Sequence, residues 1–125
     1  MVHSIGIDVV DVERIKGLVE RWGRRLLQRL FCDEEQRYLL AGENIAARIA
    51  AKEAVMKVLS TGRDKGVGWR DIVIEGRGPL TVRLKGEAEK VAERLGIGNI
   101  LVSISHESGV AVAVAVGVKK DDWRL

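Results

Sequence analysis

Ile5, Ile7 and Val9 alternate with Gly6, Asp8 and Val10, the two-residue period of a strand over 4–10. Asp11 follows where a helix N-cap belongs, and Glu13 sits in the first turn. Ile15, Leu18, Val19 and Trp22 then recur at helical spacing, predicting a helix from Val12 to Trp22. Gly23 ends or interrupts it, since Leu26, Leu27 and Leu30 continue an apolar pattern. A short helix starting at Cys32 or Asp33 runs to Leu40 and is closed by Gly42. The next helix, Asn44 to Ser60 with Gly62 as its stop, is alanine or aliphatic nearly all round, so most of it is expected to be buried.

The second half reads as strands with one helix inserted. Asp71 to Glu75 and Leu80 to Leu84 are strands joined by Gly76-Arg77-Gly78-Pro79. Gly86 to Leu95 is an amphipathic helix with Ala88, Val91, Ala92 and Leu95 on one side. Ile100 to Ile104 and Val110 to Val118 form a closing hairpin around a loop from Ser105 to Gly109. Val110 to Val116 is apolar on both faces, which calls for cover on both, by helices or by another subunit. The tail from Lys119 is polar apart from Trp123. The result is an α+β chain with no repeats and no internal boundary, a single domain over 1–125.

Composition narrows the class. A hydrophobic fraction of 46% and a single proline argue against disorder. The longest apolar run falls far short of the ~20 residues a bilayer needs, and no secretory leader is visible. One cysteine allows no intrachain disulfide, so a cytoplasmic home is expected, with no membrane partner.

Charge adds a partner. The net charge is only +3, but Arg14, Lys16, Arg21, Arg24, Arg25 and Arg29 are opposed locally by Glu20 alone. Arg14, Arg21 and Arg25 share one helix face with Leu18, and Arg24 lies at its edge if the helix continues past Gly23. A polyanion is the expected partner: nucleic acid, an acidic protein or a phosphorylated small molecule. Aromatics make up 4% of the chain, a poor stacking platform for nucleic acid.

Several chemistries are absent from the sequence. It carries no Gly-rich phosphate loop ending in Gly-Lys-Ser/Thr, no His-Glu-x-x-His and no Cys-x-x-Cys. Cys32 reads as a packed thiol. The long central helix, by contrast, carries Arg48, Lys52, Glu53 and Lys57 inside an apolar cylinder. An intrahelical Glu53–Lys57 pair contributes only about 0.2–0.5 kcal/mol, too little to account for charge there. Asp8 is the second carboxylate in an expensive place, within a strand that is otherwise small or apolar. Two such carboxylates from separate elements suit one hard cation such as Mg²⁺. Together with Lys57 and His106, in the hydroxyl-rich stretch Ser103-Ile104-Ser105-His106, they suit a metal-assisted reaction at a phosphate or pyrophosphate.

These residues also resemble a known family. Gly6-Ile7-Asp8 with Arg14-Ile15, and Arg48-Ile49-Ala50-Ala51-Lys52-Glu53-Ala54-Val55-Met56-Lys57, look like the two specific motifs of the holo-acyl-carrier-protein synthases. Trp69-Arg70-Asp71-Ile72, Gly78-Pro79 and Ser103-Ile104-Ser105-His106 recur in the same order. These are the small class of 4'-phosphopantetheinyl transferases, and the resemblance spans almost the whole chain. It implies a small antiparallel sheet with helices packed on it, assembled as a homotrimer with active sites between subunits. It also implies transfer of 4'-phosphopantetheine from coenzyme A to a serine of apo-acyl carrier protein, releasing adenosine 3',5'-bisphosphate.

By the same resemblance Asp8 and Glu53 bind Mg²⁺, and Lys57 contacts the pyrophosphate. Arg48 and His106 belong with coenzyme A, His106 in the nucleotide site. Arg14 and Arg21, with Arg24 and Arg25 beside them, receive the carrier protein. Glu53 and a metal-bound water both remain open as the base for the serine proton. Cys32 stands where the family has Thr, which concerns the cap of the short helix. The readings from other classes are a basic nucleic-acid-binding module and a coenzyme A-binding subunit without transferase activity.

Overall fold

The computed structural model describes residues 1–59 and 66–120. Strand β1 (Val2–Asp11) opens the chain and extends the expected strand at both ends. Helix α1 (Val12–Trp22) follows at once, because the Asp11 carboxylate accepts from Glu13 N at 2.9 Å and Arg14 N at 3.3 Å. Gly23, at φ 54°, then breaks the helix, and α2 (Arg24–Leu30) starts afresh beyond it. The helix therefore does not continue past Gly23, and Arg24 and Arg25 do not share its face by helical spacing.

A 3-10 turn covers Asp33–Tyr38. The amide of its N-cap residue is held by Glu35, whose Oε1 accepts from Cys32 N at 3.0 Å. This is the carboxylate half of a capping box closed on Cys32. Helix α3 (Gly42–Leu59) begins two residues earlier than expected, so Gly42 opens this helix and does not close the preceding one. Ser60 and Gly62, the expected end, lie outside the described residues.

A second 3-10 turn (Trp69–Asp71) leads into β2 (Ile72–Glu75), and the Gly76–Pro79 turn leads on to β3 (Thr81–Leu84). These two strands form an antiparallel pair of their own. Helix α4 (Gly86–Leu95) spans the predicted residues. Strands β4 (Ile97–Glu107) and β5 (Val110–Lys119) form a long hairpin with a turn of two residues, Ser108 and Gly109. His106 is therefore not in a loop but in β4, paired with Ala111.

The main sheet is antiparallel with order β1-β5-β4. The alternation in β5 now has a physical reason. Ala111, Ala113 and Ala115 are fully buried under α3, and small side chains let the helix come close. A Cβ on Gly117 would lie 2.7 Å from Val58 Cγ1. The valines alternate onto the other face. There Ile5, Ile7, Val9 and Leu101 are each more than half exposed. One face of the sheet is covered by α3, and the other is apolar and, among the described residues, uncovered.

Candidate functional site

Gly6 sets the site. Its backbone lies against α3 so closely that a Cβ would overlap the Ala54 carbonyl oxygen and come within 2.9 Å of Lys57 Cβ. Two residues further along β1, on the same side of the strand, Asp8 faces the helix beside Glu53 and Lys57. Lys57 Nζ donates to Asp8 Oδ1 at 3.1 Å and to Ile7 O at 2.8 Å. The Asp8 side chain is only 12% exposed, and its second oxygen, Oδ2, is buried with no hydrogen-bond partner. Glu53 completes the corner. Burial pushes its carboxyl pKa up, the Asp8 charge pushes it further, and Lys57 and Arg14 pull it back.

Asp8, Glu53, Lys57 and Arg14 are thus brought together from β1, α3 and α1. Their chemistry fits a divalent cation. A buried carboxylate oxygen lacks a donor, and a second carboxylate beside it is under electrostatic repulsion. Two carboxylates from separate elements suit an ion content with one or two protein carboxylates, such as Mg²⁺.

Arg48, expected to bind coenzyme A, is placed elsewhere. It is buried at 3% exposure, donates to Ile74 O at 3.2 Å and to Gly76 O, and lies 5.1 Å over the Tyr38 ring. Its guanidinium is used to hold the start of the Gly76–Pro79 turn. His106 is exposed near the far end of β4 and helps, after Lys16, to hold the Glu43 carboxyl below its usual range. The single chain does not bring His106 into the Asp8 corner. Arg21, Arg24 and Arg25 are all exposed, and Arg21 lies 5.3 Å over the ring of Trp22, itself 48% exposed.

The fourth charge of the central helix was not assigned a partner by its sequence. Lys52 is wholly buried and donates to Glu35 Oε1 at 2.7 Å, Leu30 O at 2.8 Å and Trp69 O at 2.8 Å. All three ammonium protons are satisfied. Glu35 in turn accepts from Cys32 N and from Ile74 N, so one ion pair ties α3 to α2, both 3-10 turns and β2. Burial lowers the Lys52 pKa, and Glu35 raises it.

Residues 4–115 match the model of the 4'-phosphopantetheinyl transferase superfamily. The holo-[acyl-carrier-protein] synthase of Desulforudis audaxviator is 47% identical, with 94% of each chain covered. That of Gloeobacter violaceus is 43% identical, with 89% of each covered. Among solved structures, the synthase of Neisseria meningitidis superposes with a TM-score of 0.84 at 29% identity, covering 95% of this chain and all of that one. The Helicobacter pylori synthase in complex with coenzyme A gives 0.82 at 30% identity, covering 92% of this chain and all of that one. A match over nearly every described element, with the Asp8 and Glu53 motifs inside it, leaves one conclusion: the chain belongs to the 4'-phosphopantetheinyl transferase superfamily.

Proposed function

We propose that the chain is a holo-acyl-carrier-protein synthase, which transfers 4'-phosphopantetheine from coenzyme A to a serine of apo-acyl carrier protein and releases adenosine 3',5'-bisphosphate. The observation that carries this reading is the corner where Asp8, Glu53 and Lys57 meet, in a chain 47% identical to a synthase of that name. Asp8 and Glu53 would hold Mg²⁺. When bound, that ion supplies neutralisation of charge on the pyrophosphate. Lys57, on the solvent side of the corner, stabilises the phosphate oxygens as the P–O bond to the leaving nucleotide breaks. Glu53, beside Asp8, would accept the serine proton. Arg14 adds positive charge beside it.

The same reading covers the open sheet face. A homotrimer packed through Ile5, Ile7, Val9 and Leu101 would bury apolar surface that the chain leaves exposed. Sites shared between subunits would give His106 a place at a neighbour's nucleotide that it lacks in its own chain. Arg48 takes part by fixing the Gly76–Pro79 turn. The basic residues of α1 and α2 form the landing surface for the carrier protein. The whole of 1–125 acts as one transferase domain, and we place it in the cytoplasm; among the described residues no helix is long and apolar enough to cross a membrane.

Mass spectrometry of apo-acyl carrier protein incubated with the chain, coenzyme A and Mg²⁺ tests the reading. A gain of one phosphopantetheine is expected, abolished by excess chelator and by Asp8→Ala or Glu53→Ala in folded protein. No mass gain would leave a coenzyme A-binding subunit or a nucleic-acid module, and full activity in chelator would remove the metal.

A further inference from the structure

Lys57 faces two demands. Its ammonium is hydrogen-bonded to Asp8 Oδ1 and Ile7 O, yet the side chain is 55% exposed, on a flexible four-carbon stem. Lys52, five residues earlier on the same helix, is wholly buried and donates to Glu35 Oε1, Leu30 O and Trp69 O. An ammonium can satisfy Asp8 Oδ1 but leaves Oδ2 buried and unpartnered, and it leaves the Glu53 carboxyl under Asp8's repulsion. A divalent cation carries twice the charge and is served by both carboxylates. The corner as it stands is therefore stable enough to fold and incompletely satisfied.

We propose that Lys57 is the resident counter-ion of Asp8 in the substrate-free protein and that a divalent cation displaces it, so that the ammonium is released to meet substrate phosphate only once the cation is seated. This rests on the metal reading of the corner. The exchange moves no bond and no proton. Asp8 gives up one hydrogen bond from Nζ, and Lys57 swings on its stem toward solvent. Its effect is to keep the buried Asp8 carboxylate compensated before the cation binds, and to couple seating of the cation to presentation of the Lys57 ammonium to substrate.

The test uses the whole protein without substrate. Mn²⁺ binding is followed by the spin-resonance signal of the free ion for wild type, Lys57→Met, Lys57→Gln and the charge-keeping Lys57→Arg. Removing a competing unit charge about 3 Å from a ligand oxygen should tighten Mn²⁺ roughly tenfold in the two neutral variants and leave Lys57→Arg near wild type. In parallel, the ¹⁵N signal of the Lys57 ammonium, identified by its loss in Lys57→Arg, should lose its hydrogen-bonded shift as Mg²⁺ saturates the wild type. Equal Mn²⁺ affinity in wild type and neutral variants, or a Lys57 signal unmoved at saturating Mg²⁺, overturns the exchange while leaving the metal site standing. No Mn²⁺ binding by any of the proteins overturns the metal site and the exchange together.

Discussion

Lys52 Nζ sits 2.7 Å from Glu35 Oε1, with both side chains closed to solvent. Removing one partner of such a pair strands the other in a dry interior, which costs about 3–5 kcal/mol. Lys52→Met is expected to fall in that range by urea unfolding. Glu35→Ala should cost more, because it also orphans the Cys32 and Ile74 amides. Two variants with the stability of wild type would show that the pair is not the tie described.

Gly6→Ala places a methyl group against the Ala54 carbonyl, a backbone atom that cannot swing aside. Relief requires β1 to lift from α3, which carries Asp8 away from Glu53 and Lys57. We expect about 1–3 kcal/mol of destabilisation and a fall in kcat/KM of at least roughly tenfold, since small misplacements at a reacting centre are expensive. A folded Gly6→Ala protein with wild-type kinetics would contradict this positioning role.

Arg21→Glu and Arg24→Glu reverse exposed charges away from the Asp8 corner. Such charges steer encounter, so the KM for carrier protein should rise roughly tenfold at low salt, less at high salt, with the KM for coenzyme A unchanged. Arg14 lies beside Glu53, and its substitution is expected to lower kcat as well. Unaltered carrier-protein kinetics at low salt would reduce the patch to a solvated face.

Ile7→Asp and Val9→Asp put charge on the open sheet face. Light scattering should show a trimer mass for wild type and a smaller species for these variants. A wild-type monomer at micromolar concentration would end the shared-site reading.

Acid stability has a local source. Glu34 is held down to about 2 by a hydrogen bond from the Cys32 thiol, a backbone N–H, and Arg83 and Lys85. A lowered carboxylate pKa contributes stability above the unfolded value of 4.5, and that contribution is lost as pH falls from there through about 2. Glu34→Gln should therefore flatten the decline of melting temperature over that window. An identical acid limb in the variant would assign the loss to other groups.

Much of the corner was legible because charge in an apolar setting is conspicuous: Asp8 in a strand of small residues, Glu53 and Lys57 in an alanine-rich helix. Asp8 and the end of α1 at Trp22 could be read locally, whereas the close approach of Gly6 to Ala54 could not. What could not be read depends on contacts distant in sequence. Lys52 was visibly out of place, but its partner lies in a 3-10 turn whose carboxylates Asp33, Glu34 and Glu35 look alike along the chain. Arg48 was likewise conspicuous, yet its partners are backbone carbonyls of β2 and the turn after it, which carry no sequence signal. Apolar periodicity runs straight across Gly23 because α1 and α2 both pack on the core, and periodicity reports packing, not backbone continuity. The polar run Ser105-His106-Glu107 looked like a loop because the end of β4 extends into solvent, where a strand needs no apolar side chains.

The alternation in β5 also governs how the chain finds its fold. Alanines at 111, 113 and 115 meet a helix that approaches too closely for anything larger, and valines meet the other side. A slip of one residue against β1 and β4 would turn Val112, Val114 and Val116 toward α3 and the alanines outward. The two-residue turn at Ser108 and Gly109 fixes pairing with β4, and the alternation penalises every odd-numbered misregister with β1. The central strand is in effect a one-way key: off by a single notch, it no longer fits the helix.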